Sequence, residues 1–199
     1  MAKALVIIDV QAGILPAKGT ERPAVRQRFD EVRRRIFGLV GEARRQGVPI
    51  IFVQHAGEPG HRLETGTPGW EICGDLGRTA DDLVVGKTAC DSFYKTDFQA
   101  VLAGRGVRHL VVAGLMTQYC VDTTCRRAVS LGYDVTLVAD AHTTADMPSL
   151  TVEQIVDHHN TLLDGFDAGN AAIRVRPASE AFEAAMESCP GRAAKAGNG

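Results

Sequence analysis

An acid, an ammonium and a thiol recur at comparable places along this chain. Asp9 ends the apolar run that begins at Ala4, Lys87 follows the short apolar run Leu83, Val84, Val85, and Cys120 comes just after LVVAG, at the start of a helical pattern. Together these types can do acyl-transfer chemistry: a lysine ammonium near a thiol favours the thiolate, a carboxylate can take the thiol proton and later return it to a leaving amine, and the thiolate attacks a carbonyl. Asp9 inside an apolar stretch would be costly without partners. Each residue alone also has a plainer reading. Cys120 behaves like most free cysteines, as a small buried apolar residue, and Asp9 with Lys87 is a structural ion pair at strand ends.

The elements that would carry these residues alternate between strand and helix patterns, as expected of an α/β domain with a mostly parallel sheet of about six strands. Strands are predicted over Ala4 to Val10, Val48 to Val53, Leu83 to Val85, Leu110 to Ala113, Val135 to Ala139 and Ile173 to Val175. Val25, Phe29, Val32, Ile36, Leu39 and Ala43 repeat with helical spacing, started by Pro23 and ended by Gly47. Thr96 or Asp97 caps a short helix through Leu102, and Thr151 with Gln154 has the spacing of a capping box for a helix reaching Leu163.

The apolar run before Cys120 breaks at Gly114. Val121, Thr124, Cys125, Ala128 and Leu131 then have helical spacing up to a left-handed cap at Gly132. Cys120 is therefore expected in the first turn of a helix, where unpaired amides and the macrodipole favour a thiolate. Parallel strands bring their carboxyl ends to one edge of the sheet, so Asp9, Lys87 and Cys120 can meet there. Residues 54–81 are rich in Gly and Pro and read as a functional loop region.

Composition bounds the function class. The 199 residues carry a net charge of −2, with no basic stripe beyond clusters such as Arg33, Arg34, Arg35, which argues against nucleic acid. Five cysteines at irregular spacing, with no CxxC pair, suggest neither a disulfide framework nor a zinc ribbon, so reduced thiols in the cytoplasm are expected. The run in MAKALVIIDV is too short for a signal peptide or membrane span. One domain over residues 1–189 and a loose tail over 190–199 are expected. A dinucleotide fold of the usual kind is argued against by DVQAGIL, which lacks the glycine fingerprint. A thiol redox pair of Cys120 and Cys125 is disfavoured because five helical residues separate their side chains by about 140°.

Three stretches, ALVIIDVQ, GKTACDSFYKTDF and GLMTQYCVDTTCRRAVSLGYDVTLVADA, resemble the isochorismatase-like cysteine hydrolases, a family that includes nicotinamidases, N-carbamoylsarcosine amidases and isochorismatases. The resemblance implies a three-layer αβα, doubly wound, Rossmann-like fold. It also implies a catalytic triad of Asp9, Lys87 and Cys120, a cis peptide between Leu115 and Met116, and an oxyanion hole from the amides of Met116 and Cys120. The implied reaction is hydrolysis of a C–N bond through a thioester, with no cofactor, in a homodimer or homotetramer. The same family contains vinyl-ether hydrolases driven by an acid.

Nicotinamidases of this family bind a metal through an Asp-x-His and a later His after the second strand. This chain has VQHAGEPGH there, with His55 in place of the aspartate, Gly57 in place of the histidine, and His61 at a shifted spacing. No metal site is expected from two lone imidazoles. His55 is expected at the pocket edge, and His61 with Arg62 and Glu64 in a mobile loop. Gln11, Leu15, His55, Trp70 and Phe93 are the candidate pocket residues, beside Ile14 and the segment Thr67, Pro68, Gly69. His158 and His159 are read as surface or interface residues.

Overall fold

The computed structural model describes residues 1–15 and 21–183. Six strands form one sheet: β1 (Lys3–Ile8), β2 (Ile50–His55), β3 (Leu83–Lys87), β4 (His109–Leu115), β5 (Asp134–Thr143) and β6 (Ile173–Arg176). Every pairing is parallel, in the order β3-β2-β1-β4-β5-β6. The chain order reverses beside β1, so the crevice at the carboxyl ends of β1 and β4 is the place where such sheets accept ligands.

The strands read as near-continuous apolar runs because both faces are covered. Leu5 and Ile7 face one core with Val25, Phe29, Val32, Ile36 and Leu39 of α1 (Pro23–Arg45), joined by Val152 and Val156 of α4 (Val152–Leu163). Ala4, Val6 and Ile8 face the other, with Phe98 and Leu102 of α2 (Phe98–Ala103) and Val129, Ala128 and Cys125 of α3 (Asp122–Ser130). The result is a three-layer αβα arrangement.

Helix boundaries follow local chemistry. Pro23 occupies the start of α1 and Gly47, at φ +65°, lies just past its end. Thr151 and Gln154 close a reciprocal capping box on α4. Gly132 at φ +85° follows α3, as its left-handed cap requires.

Several boundaries differ from the sequence reading, among them β2, which runs Ile50–His55 rather than Val48 to Val53. β1 stops at Ile8 rather than Val10, because Asp9 leaves the ladder at φ +51°. β3 runs on to include Lys87. β4 continues through Gly114 to Leu115, and β5 reaches Thr143 across a register shift opposite Val112 and Gly114. Cys120 is not in the first turn of an α-helix: Thr117–Val121 forms a π turn and α3 begins at Asp122. The helical spacing was present, but a π turn uses the same residues with one more per turn and leaves no separate pattern. The predicted tail 190–199 lies outside the described residues.

Candidate active site

Asp9 is the first residue beyond β1, anchored by its amide to the Val53 carbonyl at 2.9 Å. Its left-handed backbone is tolerated by aspartate better than by most residues. Lys87, the last residue of β3, starts two strands away, about 10 Å across the sheet. Its side chain crosses the end of β2 and brings Nζ to 2.6 Å from Asp9 Oδ2, with both side chains essentially inaccessible to solvent. The same ammonium donates to Cys120 Sγ at 3.2 Å and to the Ala89 carbonyl at 2.9 Å. Three residues separated by 78 and 33 positions thus meet in one buried cluster at the crevice beside β1 and β4.

Gly114 lets the two central strands approach there. A Cβ on it would stand 2.1 Å from the Ile8 carbonyl oxygen, and its φ of +127° is open to glycine alone in practice. One residue further on, the Leu115–Met116 peptide bond is cis. Met116 then starts the π turn, its carbonyl accepting from the amides of Tyr119 and Val121, the neighbours of Cys120.

The electrostatics of the cluster are those of a buried, mutually neutralising set. Burial pushes the Asp9 carboxyl above its ordinary range, against the pull of Lys87 and of hydrogen bonds from Cys120 and Lys87. Burial pulls the Lys87 ammonium down, but Asp9 and Cys120 together more than reverse it, so the lysine stays charged. Burial and the Asp9 carboxylate push the Cys120 thiol up, and Lys87 offsets only part of this. The thiolate expected at a helix terminus is therefore not the resting form. The site is thus a carboxyl, an ammonium and a thiol packed together, each shifted by burial and by the other two.

A second buried chain holds the π turn from the other side. Thr117 Oγ1 lies 3.0 Å from His142 Nδ1, and His142 Nε2 lies 2.8 Å from Asn160 Oδ1. Asn160 Nδ2 donates to the Ala139 carbonyl at 3.1 Å, which fixes Oδ1 as the acceptor toward the imidazole. Burial holds His142 neutral, with its pKa lowered to about 4. Its single N–H is thus on Nε2, and Nδ1 accepts from the Thr117 hydroxyl. None of these three residues stood out in the sequence. A histidine continuing the run Asp134–Thr143 was the available signal, masked by Asp140.

The other singled-out residues divide by what they touch. Gln11 is fully buried and spends its amide on backbone: Nε2 donates to the carbonyls of His55 (3.0 Å) and Trp70 (2.7 Å), and Oε1 accepts from the His55 amide at 2.9 Å. Ile14 and Leu15 are buried in the α1-side core. Phe93 packs on Phe98 and Tyr133, with ring centroids 4.7 and 5.9 Å apart, in the α3-side core. Thr67 Oγ1 donates to the Glu64 carbonyl, and Glu64 Oε2 accepts from the Gly60 amide. Pro68 is exposed and Gly69 half-buried. His158 is exposed and His159 half-buried on α4. Cys125 is fully buried in α3, and its thiol too is pushed up by burial.

His55 is half-buried at the end of β2, in register with Lys87. Burial and the positive charges of Lys87, His61 and Arg62 lower its pKa to about 4. Its ring centroid lies 5.6 Å from that of His61, whose Nδ1 accepts from the Leu63 amide at 3.1 Å. Among the described residues no three His, Cys, Asp or Glu side chains converge to hold a metal. Two imidazoles, one already engaged, do not fit the metal that nicotinamidases carry.

With this geometry in place, the chain can be compared with known proteins. The family model described as the isochorismatase domain matches residues 3–174. The chain belongs to the isochorismatase family. It is 36% identical over 148 residues to a streptothricin hydrolase of Streptomyces noursei, covering 74% of this chain and 51% of that one. It is 26% identical over 174 residues to the ureidoacrylate amidohydrolase RutB of Caulobacter vibrioides, covering 69% of this chain and 71% of that protein. A solved structure of an isochorismatase family protein superposes with a TM-score of 0.72 at 32% identity, covering 86% and 96% of the two chains. The chain spans about half the length of the streptothricin hydrolases it matches. No helix among the described residues is long and apolar enough to cross a membrane.

Proposed function

We propose that this isochorismatase-family chain is a cysteine hydrolase that cleaves the C–N bond of a small amide or ureido compound through a thioester, without a metal, as a cytoplasmic homodimer or homotetramer. The observation that carries the reading is the Lys87 ammonium placed 2.6 Å from Asp9 and 3.2 Å from Cys120 in a site closed to solvent. The thiol proton passes to the Asp9 carboxylate as Sγ attacks the carbonyl carbon, and the carbonyl electron pair moves to oxygen. The amides of Met116 and Cys120 receive that oxyanion. On collapse the C–N bond breaks, and the departing nitrogen takes the proton from Asp9. Water then gives a proton to Asp9 and its oxygen attacks the thioester; the C–S bond breaks, and the sulfur takes the proton back.

Lys87 keeps its charge throughout, so proton transfer between Cys120 and Asp9 leaves the net charge of the cluster at zero. In a dry site that constraint matters, because creating an unbalanced charge there costs several kcal/mol. The relative named as an amidohydrolase supports C–N cleavage, and the donor set at His55 and His61 supports independence from metal.

The test is a screen of purified protein against small primary amides, ureido acids and isochorismate, with ammonia and acid release measured separately. Cys120→Ala is expected to lower C–N hydrolysis by at least about 10³-fold with an unchanged circular dichroism spectrum, and an acyl adduct on Cys120 is expected by mass spectrometry of quenched wild type. If Cys120→Ser keeps near-normal turnover and isochorismate is the substrate consumed, the covalent mechanism is wrong and acid-driven vinyl-ether cleavage centred on Asp9 replaces it.

A further inference from the structure

His142 is a buried titratable side chain against the Cys120 turn that the hydrolysis proposed above does not use. It reaches its place through an irregularity in the sheet. Leu137 pairs with Val112 and His142 with Gly114, so β5 takes five residues to advance where β4 takes two. Such bulges re-aim a side chain beside a site. Here an imidazole is set next to Gly114, where the neighbouring strand has no side chain to obstruct it, and its Nδ1 lies 3.0 Å from Thr117 Oγ1.

The ring is not placed to be a base. Nε2 donates to Asn160 Oδ1 at 2.8 Å and Nδ1 accepts from the Thr117 hydroxyl, so both nitrogens are engaged and neither is left for Cys120. The donors run in one direction, from Thr117 to His142 to Asn160 to the Ala139 carbonyl, and the bonds of such a chain polarise and strengthen one another. Burial keeps the imidazole neutral, so the direction is kept across the ordinary pH range.

What the chain fixes is the start of the π turn. Thr117 directly follows Met116 and precedes Cys120 by three residues, between the two amides that the proposed mechanism gives to the oxyanion. Its carbonyl accepts from the Asp122 amide, and the Met116 carbonyl takes the amides of Tyr119 and Val121, on either side of Cys120. The backbone of the turn is thus closed on itself, and the Thr117 hydroxyl ties it to β5 and α4. The sulfur of Cys120 is held separately, by Lys87. Loss of the bond from Thr117 to His142 would move the amides while leaving the thiol its own partner.

We propose that His142 is a positioning residue for acyl transfer: by accepting the Thr117 hydroxyl it holds the π turn so that the amides of Met116 and Cys120 meet the oxygen of the tetrahedral intermediate. It acts on that oxygen rather than on the thiol. The inference rests on Cys120 acting as the nucleophile of a hydrolase.

Two reagents that modify Cys120 separate these roles. p-Nitrophenyl acetate acetylates the sulfur through an oxyanion: the S–C bond forms, the thiol proton passes to Asp9, and p-nitrophenolate leaves with the electron pair of the broken C–O bond. Iodoacetamide alkylates the same sulfur at a saturated carbon, iodide leaves, and no oxyanion forms. Acetylation is read as first-turnover release of p-nitrophenolate and as the adduct on Cys120 by mass spectrometry, alkylation as its own adduct, with Cys120→Ala as the blank. Thr117→Val and His142→Leu are each expected to slow acetylation about 10- to 100-fold and alkylation by no more than about twofold. Thr117→Ser keeps the hydroxyl and His142→Asn keeps an acceptor near the place of Nδ1, so both should recover most of the acetylation rate. The double variant of Thr117→Val and His142→Leu should lose no more than the worse single one, because both act through one bond. Asn160→Ala, at the half-buried far end of the chain, should slow acetylation about threefold with alkylation unchanged, and it decides the matter if the fully buried variants do not fold. Equal slowing of both reactions, or no slowing of acetylation, overturns the proposal and leaves the hydrolase reading standing. A wild type whose Cys120 takes no acetyl group overturns both.

Discussion

In the proposed mechanism Asp9 serves as proton acceptor and donor in the same cycle, and its surroundings suit both. Burial keeps its carboxyl above the ordinary range of a carboxylate, so it holds a transferred proton more readily than a solvated aspartate, while Lys87 pulls the other way. The acid limb of kcat/KM reports the fraction of Asp9 that is ionised and able to take the thiol proton. Because that pKa is raised, activity is expected to fail at a pH above the ordinary aspartate value of 3.8 as the medium is acidified, and Asp9→Asn should abolish the limb together with the activity. An acid limb at or below the ordinary value in a pH–rate profile would contradict the assignment. Asp9, Lys87 and Cys120 were legible in the sequence because a charged residue in an apolar run, and a thiol at a strand-to-helix junction, are conspicuous without any structure. The protonation state of the thiol was not. It depends on burial and on Asp9 lying against it, and no local pattern encodes either.

At the scale of elements, the junction of β1 and β4 sets the distance between Asp9 and Cys120. Gly114 sits opposite Ile8, the residue before Asp9, and two residues before Met116. Gly114→Ala would drive its Cβ into the Ile8 backbone and force a non-glycine residue to φ +127°. Overpacking and backbone strain together should cost at least about 3 kcal/mol, read as a lower urea midpoint at unchanged slope, and hydrolysis should fall further than the folded fraction does. Full stability in the variant would show that the strands have room to part. The sequence marked Gly114 as a break in an apolar run, which is how a glycine reads locally. Only the neighbouring strand shows that it is instead a point of closest approach inside β4. The length of β5 was hidden for a related reason: Asp140 interrupts the apolar run, yet its Oδ1 accepts from the Ala178 amide and the strand goes on to His142.

For the whole molecule, alternation of strand and helix patterns was enough to predict a parallel sheet with both faces covered, since each crossover helix must bury its apolar stripe. The strand order and the placement of buried histidines depend on contacts distant in sequence, and these control how the fold responds to acid. His55, His109 and His142 all have pKa values lowered to about 4 from 6.5, with burial as the leading cause; His109 also pairs with Thr136 at 2.8 Å. A depressed histidine stays neutral in the folded state while the unfolded chain takes up its proton, so the stability it contributes is complete above about pH 6.5 and is lost as pH falls toward about 4. Asp9 works in the opposite sense, since its raised pKa favours the folded state as it protonates, but it is one group against three. His55 is half-exposed and partly screened, so His109 and His142 dominate. The melting temperature should therefore decline steadily between pH 6.5 and 4, with unfolding near pH 5 taking up about two protons, measured by calorimetry in buffers of different ionisation enthalpy. Replacing His109 by Gln, which keeps a polar partner for Thr136, should make the decline shallower by roughly one proton's worth of slope. A melting temperature that stays flat or rises over this interval would mean that the imidazoles gain their protons without unfolding, and that the buried Thr117–His142–Asn160 chain behind Cys120 is not closed to water.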